Sequence, residues 1–248
     1  EVLPVRPPVL CPGCPHRGIF YVLSKLKVMV SGDIGCYTLG AMPPLGALDT
    51  TICMGASISG LHGFNKARKD LRNNSVAVIG DSTFIHSGIT GLIDIAYNQG
   101  TSKIIILDNS ITGMTGHQQN PTTGYTIKGD PTYAVNLEQL VKSVGIKNVV
   151  VVDPFDIDQC ETEIKNALKS DEPYVIIARR PCALLKYVKH KKPLKVNTDK
   201  CIGCKACMKV GCPAITVKEK KARVDETLCV GCDLCAKMCR FGALESGE

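Results

Sequence analysis

Eight cysteines late in the chain are spaced as ligands of iron–sulfur clusters. They form two runs, Cys201-x2-Cys204-x2-Cys207-x4-Cys212-Pro213 and Cys229-x2-Cys232-x2-Cys235-x3-Cys239. A cubane cluster binds four thiolates, and in modules with two such clusters each run supplies three ligands to one cluster and the fourth to the other. We therefore predict one 4Fe–4S cluster on Cys201, Cys204, Cys207 and Cys239 and another on Cys212, Cys229, Cys232 and Cys235. Such a module carries single electrons, which the rest of the chain must produce or consume.

A further set of cysteines lies outside these runs. Cys11 and Cys14 stand in Cys11-Pro12-Gly13-Cys14-Pro15-His16, Cys36 ends Gly32-Asp33-Ile34-Gly35-Cys36, and Cys182 follows Arg179-Arg180-Pro181. If the fold brings these four thiols together, they could hold a third 4Fe–4S cluster, but four thiolates also satisfy tetrahedral Zn²⁺. Both chemistries stay open at this point. Cys53 and Cys160 are expected to be small core residues, which is the usual fate of a free cysteine.

Asp81 and Asn109 each follow a short apolar run and could bind a hard cation. Asp81 stands in Gly80-Asp81-Ser82, and Asn109 comes 28 residues after it. If the two runs are neighbouring parallel strands, the carboxylate and amide oxygens would lie side by side, and such oxygens suit Mg²⁺ or Ca²⁺. Gly80, Gly113 and Gly116 would let backbone amides approach a diphosphate. The alternative is two ordinary turns, in which Asp and Asn serve turn chemistry.

Short apolar runs alternate with helical patterns over the first three quarters of the chain. Strands are predicted at 28–31, 76–79, 103–107, 149–152 and 174–178, and helices at 18–25, 51–69, 88–98, 137–143 and 156–168. This alternation predicts an α/β fold with a parallel sheet covered by helices on both faces. Ligands of such sheets bind beyond the carboxyl ends of the strands, where we expect loops at 80–88 and 108–124.

The sequence changes character near residue 190, which divides a predicted first domain over 1–190 from a small α+β two-cluster domain over 191–248. Lysines crowd residues 186–200, which we expect to form a solvated linker rather than a nucleic-acid site. The net charge of +7 is discounted, because clusters on thiolates add negative charge. No apolar run has the length of a membrane span, and cysteine spacing without a secretory segment favours metal binding in a reducing cytoplasm. The chain does not begin with Met, and we expect it to be a segment of a longer one.

The motif around Asp81 and Asn109 resembles that of the thiamine diphosphate enzymes, in which Gly-Asp-Gly/Ser is followed at a distance by Asn as the next metal ligand. The resemblance implies that Asp81, Asn109 and the backbone carbonyl of Ile111 hold Mg²⁺. It also implies that Met54 bends the cofactor, although packing at a helix start would explain a methionine there more simply. The implied cofactor-binding residues are Gly35, Cys36, Cys53, Met54, Gly55, Gly80, Asp81, Ser82, Asn109, Ile111, Thr112, Gly113 and Met114.

The complete set of motifs resembles the 2-oxoacid:ferredoxin oxidoreductases, whose thiamine-binding chain carries Cys-Pro-x-Cys, Gly-Ile-Gly-Cys, Gly-Asp and Thr-Gly-Met-Thr-Gly-x-Gln. This chain has Asp33-Ile34-Gly35-Cys36 and Thr112-Gly113-Met114-Thr115-Gly116-His117-Gln118. The resemblance implies that Cys11, Cys14, Cys36 and Cys182 hold a 4Fe–4S cluster near the thiamine. The Cys-Pro-Gly-Cys-Pro-His-Arg variant, with a fused two-cluster ferredoxin module, is most like the alpha subunits of the branch that acts on indolepyruvate. His16 and His117 could touch substrate or cofactor, or could be structural.

The resemblance implies an oxidoreductase that decarboxylates a 2-oxoacid, such as indolepyruvate or another aryl pyruvate, with coenzyme A. Electrons would pass through the clusters to an external ferredoxin. The implied partners are a beta (gamma-type) subunit and a pyrimidine-binding domain or subunit in a hetero-oligomer, and that domain supplies the activating glutamate. No nucleic-acid or membrane partner is expected. Two other hypotheses stay open: an electron-transfer ferredoxin fused to an inactive α/β domain, and a non-oxidative thiamine-dependent decarboxylase.

Three features depart from the family pattern. In the first run four residues separate Cys207 from Cys212, where three are commoner. In the second run Arg240 stands where a proline often follows the last cysteine. The third departure is that the sequence contains no pyrimidine-binding domain. We therefore expect the chain to hold the diphosphate end of the cofactor and to be incompetent alone.

Overall fold

The computed structural model describes residue 3 and residues 7–247, and its first part is an alternation of strands and helices. The strands are β1 (Met29–Gly32), β2 (Thr50–Thr51), β3 (Ser75–Gly80), β4 (Lys103–Asp108), β5 (Asn148–Val152) and β6 (Tyr174–Arg179). The helices are α1 (His16–Leu26), α2 (Ala56–Ala67), α3 (Asp81–Thr83), α4 (Ile89–Tyr97), α5 (Leu137–Ser143) and α6 (Ile157–Lys169).

The six strands form one sheet in the order β2-β1-β3-β4-β6-β5, and every neighbouring pair is parallel. Strands β3 and β4 are direct neighbours, with Gly80 opposite Leu107. The carboxyl ends of all the strands therefore lie at one edge of the sheet. The α/β class predicted from the alternation of apolar runs is confirmed.

Alternate residues of the central strands enter two separate cores, because successive side chains of a strand point to opposite faces. Val78 and Ile105 join helices α1 and α6 in one core, whereas Ile79 and Ile104 join α2, α4 and α5 in the other. Strands β3 and β4 are buried at every position. Helices on both faces explain why the central residues of these strands are continuously apolar.

The segment expected as a loop at 80–88 is helical instead. Gly80 is extended, α3 begins at Asp81, and a π-helical turn over Phe84–Gly88 leads directly into α4. Helix α2 also differs from the prediction, since it begins at Ala56 rather than near Thr51. It starts there because Gly55, with φ of 86°, takes a left-handed conformation with Ser87 of the π turn packed closely against it.

The cysteine-rich part is small and built from two-stranded antiparallel sheets. Strands β8 (Ile215–Lys218) and β9 (Lys221–Val224) pair with each other, and β7 (Lys195–Val196) pairs with β10 (Leu244–Glu245). A 3-10 turn over Ala206–Val210 and α7 (Leu234–Lys237) complete this part. This agrees with the α+β module predicted from the two cysteine runs.

The α/β part and the cysteine-rich part pack against each other. Val210 and Leu234 are fully or almost fully buried in the same core as residues of α1 and α6. Lys237 of α7 donates a hydrogen bond to the carbonyl oxygen of Phe155 at 2.6 Å. Within residue 3 and residues 7–247, no helix has the length and apolar character that crossing a bilayer requires.

Asp33 fixes the loop after β1 to the start of α2. Its side chain is fully buried, and its carboxylate accepts hydrogen bonds from the backbone N–H groups of Ile34 at 2.8 Å, Gly55 at 2.9 Å and Ser57 at 3.0 Å. A carboxylate at a helix N-terminus satisfies N–H groups that have no partner inside the helix. Asp33 therefore sets the distance between Cys36 and Met54.

We predict that Asp33→Ala lowers the free energy of unfolding by about 3 kcal/mol, because it leaves buried N–H groups without an acceptor. Urea unfolding of the full-length subunit would measure the change. Asp70→Ala is the matched control, since the ion pair of Asp70 with Arg68 is exposed and its loss should leave the unfolding midpoint where it is. Equal effects of the two variants would contradict the anchoring role.

Candidate functional site

Four strands of the sheet are each followed by a predicted site residue at the same edge. Cys36 follows β1, Asp81 follows β3, Asn109 follows β4 and Cys182 follows β6. The backbone N–H of Cys182 donates to the carbonyl oxygen of Asn109 at 2.9 Å, so two of these strand ends are directly joined. The edge where ligands bind in parallel sheets is thus also the place where two of the predicted cysteines arrive.

A cavity lies at this edge. All the predicted cofactor-binding residues except Cys53 and Gly55 line it. Thr112 donates a hydrogen bond to the hydroxyl of Ser82 at 2.9 Å, which joins the loop after β4 to the first turn of α3. Met54 and Met114 line the cavity with exposed fractions of 48% and 49%, so one side of the cavity is open.

Three oxygen atoms meet at the bottom of the cavity. The amide oxygen position of Asn109 lies 2.7 Å from the carbonyl oxygen of Ile111 and 3.2 Å from Oδ1 of Asp81. With the amide turned round, its nitrogen would donate to both oxygens. Octahedral Mg²⁺ with oxygens at about 2.1 Å holds adjacent ligands about 3 Å apart, which is the spacing found here. The donor set therefore fits a magnesium ion, which would keep the amide oxygen turned inward.

The surroundings of Asp81 determine its pKa and the orientation of its carboxylate. Burial raises its pKa to about 7, and the nearby Asp108 carboxylate adds to the shift. Its Oδ2 accepts hydrogen bonds from Asn120 at 3.1 Å and from the hydroxyl of Thr122 at 3.0 Å. The other oxygen, Oδ1, remains directed at Asn109.

Asn120 and Thr122 were not predicted from the sequence. They stand in Asn120-Pro121-Thr122-Thr123, a segment rich in turn residues directly after the Thr112–Gln118 motif. Nothing local in such a segment indicates that it folds back onto a strand end more than thirty positions earlier, as the hydrogen bonds to Asp81 show. The position of the segment beside the motif is the only sequence signal that could have marked it.

Tyr37 is a second residue that the sequence did not reveal. Its ring packs against Gly35 and Gly80, where an added Cβ would stand 2.4 Å and 2.5 Å from the ring. Its hydroxyl donates to the carbonyl oxygen of Ile34 at 2.7 Å, and burial raises its pKa. Gly80 is therefore needed first for the ring of Tyr37, rather than for the approach of a diphosphate.

The two histidines considered above have different surroundings. His16 lines the cavity edge-on to Tyr37, with ring centres 5.9 Å apart, and burial lowers its pKa to about 4, so it is neutral. His117 does not line the cavity; its Nε2 lies 3.9 Å from the sulfur of Cys182.

Cys11, Cys14, Cys36 and Cys182 lie close enough to interact electrostatically, and we call them the proximal set. Burial raises the pKa of Cys14 to about 12 and raises that of Cys36, and negative charge on Cys11 and Cys182 adds to both shifts. Cys36 also lines the cavity, and an added Cβ on Gly113 would stand 3.5 Å from its sulfur. The proximal set is thus contiguous with the candidate cofactor site.

The eight remaining cluster-type cysteines surround two small cavities. One is lined by Cys201, Cys204, Cys207 and Cys239, called the outer set, and the other by Cys212, Cys229, Cys232 and Cys235, called the middle set. Burial raises the pKa of Cys235 to about 12, and charge on the other middle cysteines adds to the shift. The structure thus brings the cysteines together in the two groups that the spacing predicts.

In the described part of the chain, no three His, Cys, Asp or Glu side chains form a group that could hold a single metal ion. The thiolates of a cubane cluster bind different iron atoms, so these sets need not converge on one ion. Among the other cysteines, Cys160 is fully buried as expected. The expectation that Cys53 is a core residue is wrong, because it is exposed on the loop before α2.

Two family models match the chain. The C-terminal TPP-binding domain of thiamine pyrophosphate enzymes matches residues 33–178, and the 4Fe–4S dicluster domain matches residues 186–243. The chain belongs to the thiamine pyrophosphate enzymes. It therefore combines a thiamine-binding domain with an iron–sulfur module, as the motifs predict.

Curated relatives indicate a narrower group within this family. The chain is 43% identical to the indolepyruvate oxidoreductase subunit IorA of Pyrococcus horikoshii over 99% of its own length, and 43% identical to that of Archaeoglobus fulgidus over 98%. It spans 41% and 40% of these relatives. The resemblance to the 2-oxoacid:ferredoxin oxidoreductases, and to their indolepyruvate branch, is confirmed.

A solved structure shares the fold. The 2-oxoglutarate:ferredoxin oxidoreductase from Magnetococcus marinus, described with 2-oxoglutarate, coenzyme A and succinyl-CoA bound, superposes with a TM-score of 0.63 at 21% identity. The match covers 75% of this chain and 68% of that one. At this identity the likeness is evidence of fold alone.

We predict that magnesium binds about tenfold more weakly at pH 6 than at pH 8, because the cation competes with the proton of an Asp81 carboxyl whose pKa is about 7. Without the cation, the raised pKa means that stability declines as the pH rises from about 4 through about 7. Titration calorimetry of MgCl₂ into the full-length subunit with excess thiamine diphosphate would measure the affinity. Asp81→Asn keeps the shape and should remove this pH dependence, which controls for titration of the diphosphate itself. Equal wild-type affinities at the two pH values would contradict the role of Asp81.

Proposed function

We propose that the chain is the thiamine-binding and electron-transfer part of an enzyme that oxidatively decarboxylates a 2-oxoacid with coenzyme A and ferredoxin. The observation that carries the proposal is that Cys36 belongs to the proximal set and lines the candidate cofactor cavity. A redox centre there would adjoin the candidate cofactor cavity. The similarity to IorA chains supports indolepyruvate or another aryl pyruvate as the substrate.

The residues that line the cavity would have separate roles in binding the cofactor. Thiamine diphosphate, when bound, supplies the carbon nucleophile and the electron sink for decarboxylation. Asp81, Asn109 and the carbonyl of Ile111 would hold Mg²⁺, which binds diphosphate oxygens. Met54 and Met114 would lie against the cofactor, and neutral His16 with Tyr37 would form a wall that excludes water.

The three cysteine sets lie in a fixed order from the cavity outward. The proximal set adjoins the cavity, and Gly13, between Cys11 and Cys14, packs against Val230, which lies between Cys229 and Cys232 of the middle set. Charge on Cys207 of the outer set acts on Cys235 of the middle set, and Cys204 of the outer set is exposed. We infer that each set holds a 4Fe–4S cluster and that electrons leave singly through the outer one.

The half-open cavity supports the need for partners. Met54 and Met114 are about half exposed at its rim, which fits a surface that another domain covers. We propose that a pyrimidine-binding domain or subunit covers it and supplies the activating glutamate, and that a beta (gamma-type) subunit completes a hetero-oligomer. We also keep the domain boundary near residue 190 and a cytoplasmic location as proposals.

The two alternatives are weaker. A ferredoxin fused to an inactive domain would not need a buried carboxylate and a carbonyl oxygen that both lie within 3.2 Å of one side-chain amide at the cavity. A non-oxidative decarboxylase would not need the dicluster module that follows residue 186.

Iron, acid-labile sulfide and zinc analysis of the anaerobically purified full-length subunit tests the cluster assignment. We predict about twelve irons per chain with matching sulfide. Cys204→Ser should remove the outer cluster and lower the iron by about four, whereas the exposed Cys53→Ser, as control, should lose none. About eight irons with one zinc would make the proximal set structural and would break the electron path at its start.

The exposed surface around Cys204 gives a prediction for the external ferredoxin. Ile202 and Phe241 are 60% and 48% exposed there, and Lys205 and Arg240 are exposed beside them. We expect Lys205→Glu to raise the KM for an acidic ferredoxin several-fold and to weaken its dependence on salt, because steering by opposite charge is lost. Lys169→Glu on α6 is the control. An unchanged KM in Lys205→Glu would exclude this face as the docking site.

A further inference from the structure

Arg17 is a buried cation at the junction between the thiamine domain and the cysteine-rich part. It is the second residue of α1, and only 2% of it is exposed. Its guanidinium donates to the carbonyl oxygens of Cys11 at 3.1 Å, Val210 at 3.0 Å and Gly211 at 2.5 Å, and also to that of Leu10. One side chain thus ties the loop of the proximal set to the turn that precedes Cys212.

The partners of Arg17 leave its charge unbalanced. All four acceptors are neutral carbonyl groups, and within the described residues Arg17 forms no ion pair with a carboxylate. An isolated buried charge is costly unless an opposite charge is near. Burial lowers the pKa of Arg17, and negative charge on Cys14, Cys212, Cys11 and Cys232 opposes that shift. The anions that could balance the guanidinium are therefore cysteines of the two facing sets.

The loops of these sets are in direct contact. An added Cβ on Gly13 would stand 2.5 Å from a methyl carbon of Val230. Gly13 has φ of 70° and lies between Cys11 and Cys14, while Val230 lies between Cys229 and Cys232. The contact leaves no room for a side chain between the two sets. Arg180, which lines the cavity beside it, is paired with Asp153, whereas Arg17 has no carboxylate partner among the described residues.

We propose that Arg17 is the counter-charge of the junction, which favours the reduced forms of the clusters on the proximal and middle sets while its hydrogen bonds hold the two loops together. The proposal rests on the proposed function in one respect, namely that these cysteines hold 4Fe–4S clusters. In the transfer step one electron leaves the proximal cluster, which is oxidised, and enters the middle cluster, which is reduced. No bond is made or broken, and the guanidinium keeps its proton.

The direction of the effect follows from electrostatics. Each reduced cluster carries one more negative charge, and a cation in a poorly solvated place stabilises that charge more than it would in water. Two cysteines of the middle set, Cys212 and Cys232, act on the charge of Arg17, and its guanidinium donates to the carbonyl oxygen of Gly211, the residue before Cys212. Loss of the cation should therefore lower the reduction potential of the middle cluster more than that of the outer cluster.

The test is a reductive titration monitored by electron paramagnetic resonance on the full-length subunit in its complex. In Arg17→Gln we expect a shift of about 59 mV to lower potential at the middle cluster, a tenfold change in its reduction equilibrium, with a smaller shift at the outer cluster. Arg17→Lys keeps the charge and should keep most of the potential. Arg68→Gln, at an exposed ion pair, is the control and should change neither.

Iron analysis of each variant separates the outcomes. Unchanged potentials in an iron-replete Arg17→Gln would overturn the proposal. If Arg17→Gln loses iron, Arg17→Lys decides: a wild-type middle potential with full iron supports the counter-charge role, and loss of iron in both variants overturns it in favour of a role in folding. If the wild-type proximal set holds zinc, the third-cluster assignment fails, but the shift at the middle cluster still tests Arg17.

Discussion

The parallel pairing of β1, β3, β4 and β6 is the constraint on which the rest of the structure depends. Parallel strands put all their carboxyl ends at one edge, and each of these four ends carries a residue with chemistry. Cys36, Asp81, Asn109 and Cys182 come from positions up to 146 residues apart in the sequence, yet they meet there. A register slip of one residue would reverse which side chains face the cavity. The close packing of these side chains in two covered cores opposes that slip, so the hydrophobic core and the site are specified together.

Some buried polar groups of this structure require a cation, and others require anions. The oxygens of Asp81, Asn109 and Ile111 together require a cation or a turned amide, while the guanidinium of Arg17 requires anions. Both requirements arise because burial removes the water that would otherwise solvate these groups. Asp33 is already satisfied, because three backbone N–H groups surround its carboxylate. Buried polar groups that have no partner within the chain therefore indicate what the protein binds. Buried polar groups whose partners lie within the chain, such as Asp33, stabilise the fold.

The arrangement of the cysteines also explains why two domains share one core. The middle set is anchored by Val210 and Leu234, which are buried among residues of the thiamine domain, and Lys237 is bonded to Phe155. An iron–sulfur module on a flexible tether would sample many distances, and electron transfer falls steeply with distance. Direct packing keeps the loops of the proximal and middle sets in contact. The cysteine-rich part is thus held as a continuation of the sheet edge rather than as an appended carrier.

The sequence by itself determined the fold class and the grouping of the late cysteines, because each depends on local spacing, and the resemblance of its motifs to a known family indicated most of the residues at the cavity. Alternating apolar runs require a covered parallel sheet, and two residues between cysteines suit the corner of a cubane whatever surrounds them. Only the tertiary structure decided that 81–88 is helical, that Asn120 and Thr122 return to Asp81, that Cys53 is exposed, and that Gly80 makes room for Tyr37. It also placed Arg17 against the turn at Val210 and Gly211, 193 and 194 residues later in the chain. These features depend on contacts between distant segments, and a pattern read along the chain contains no information on which distant segment fills a given space.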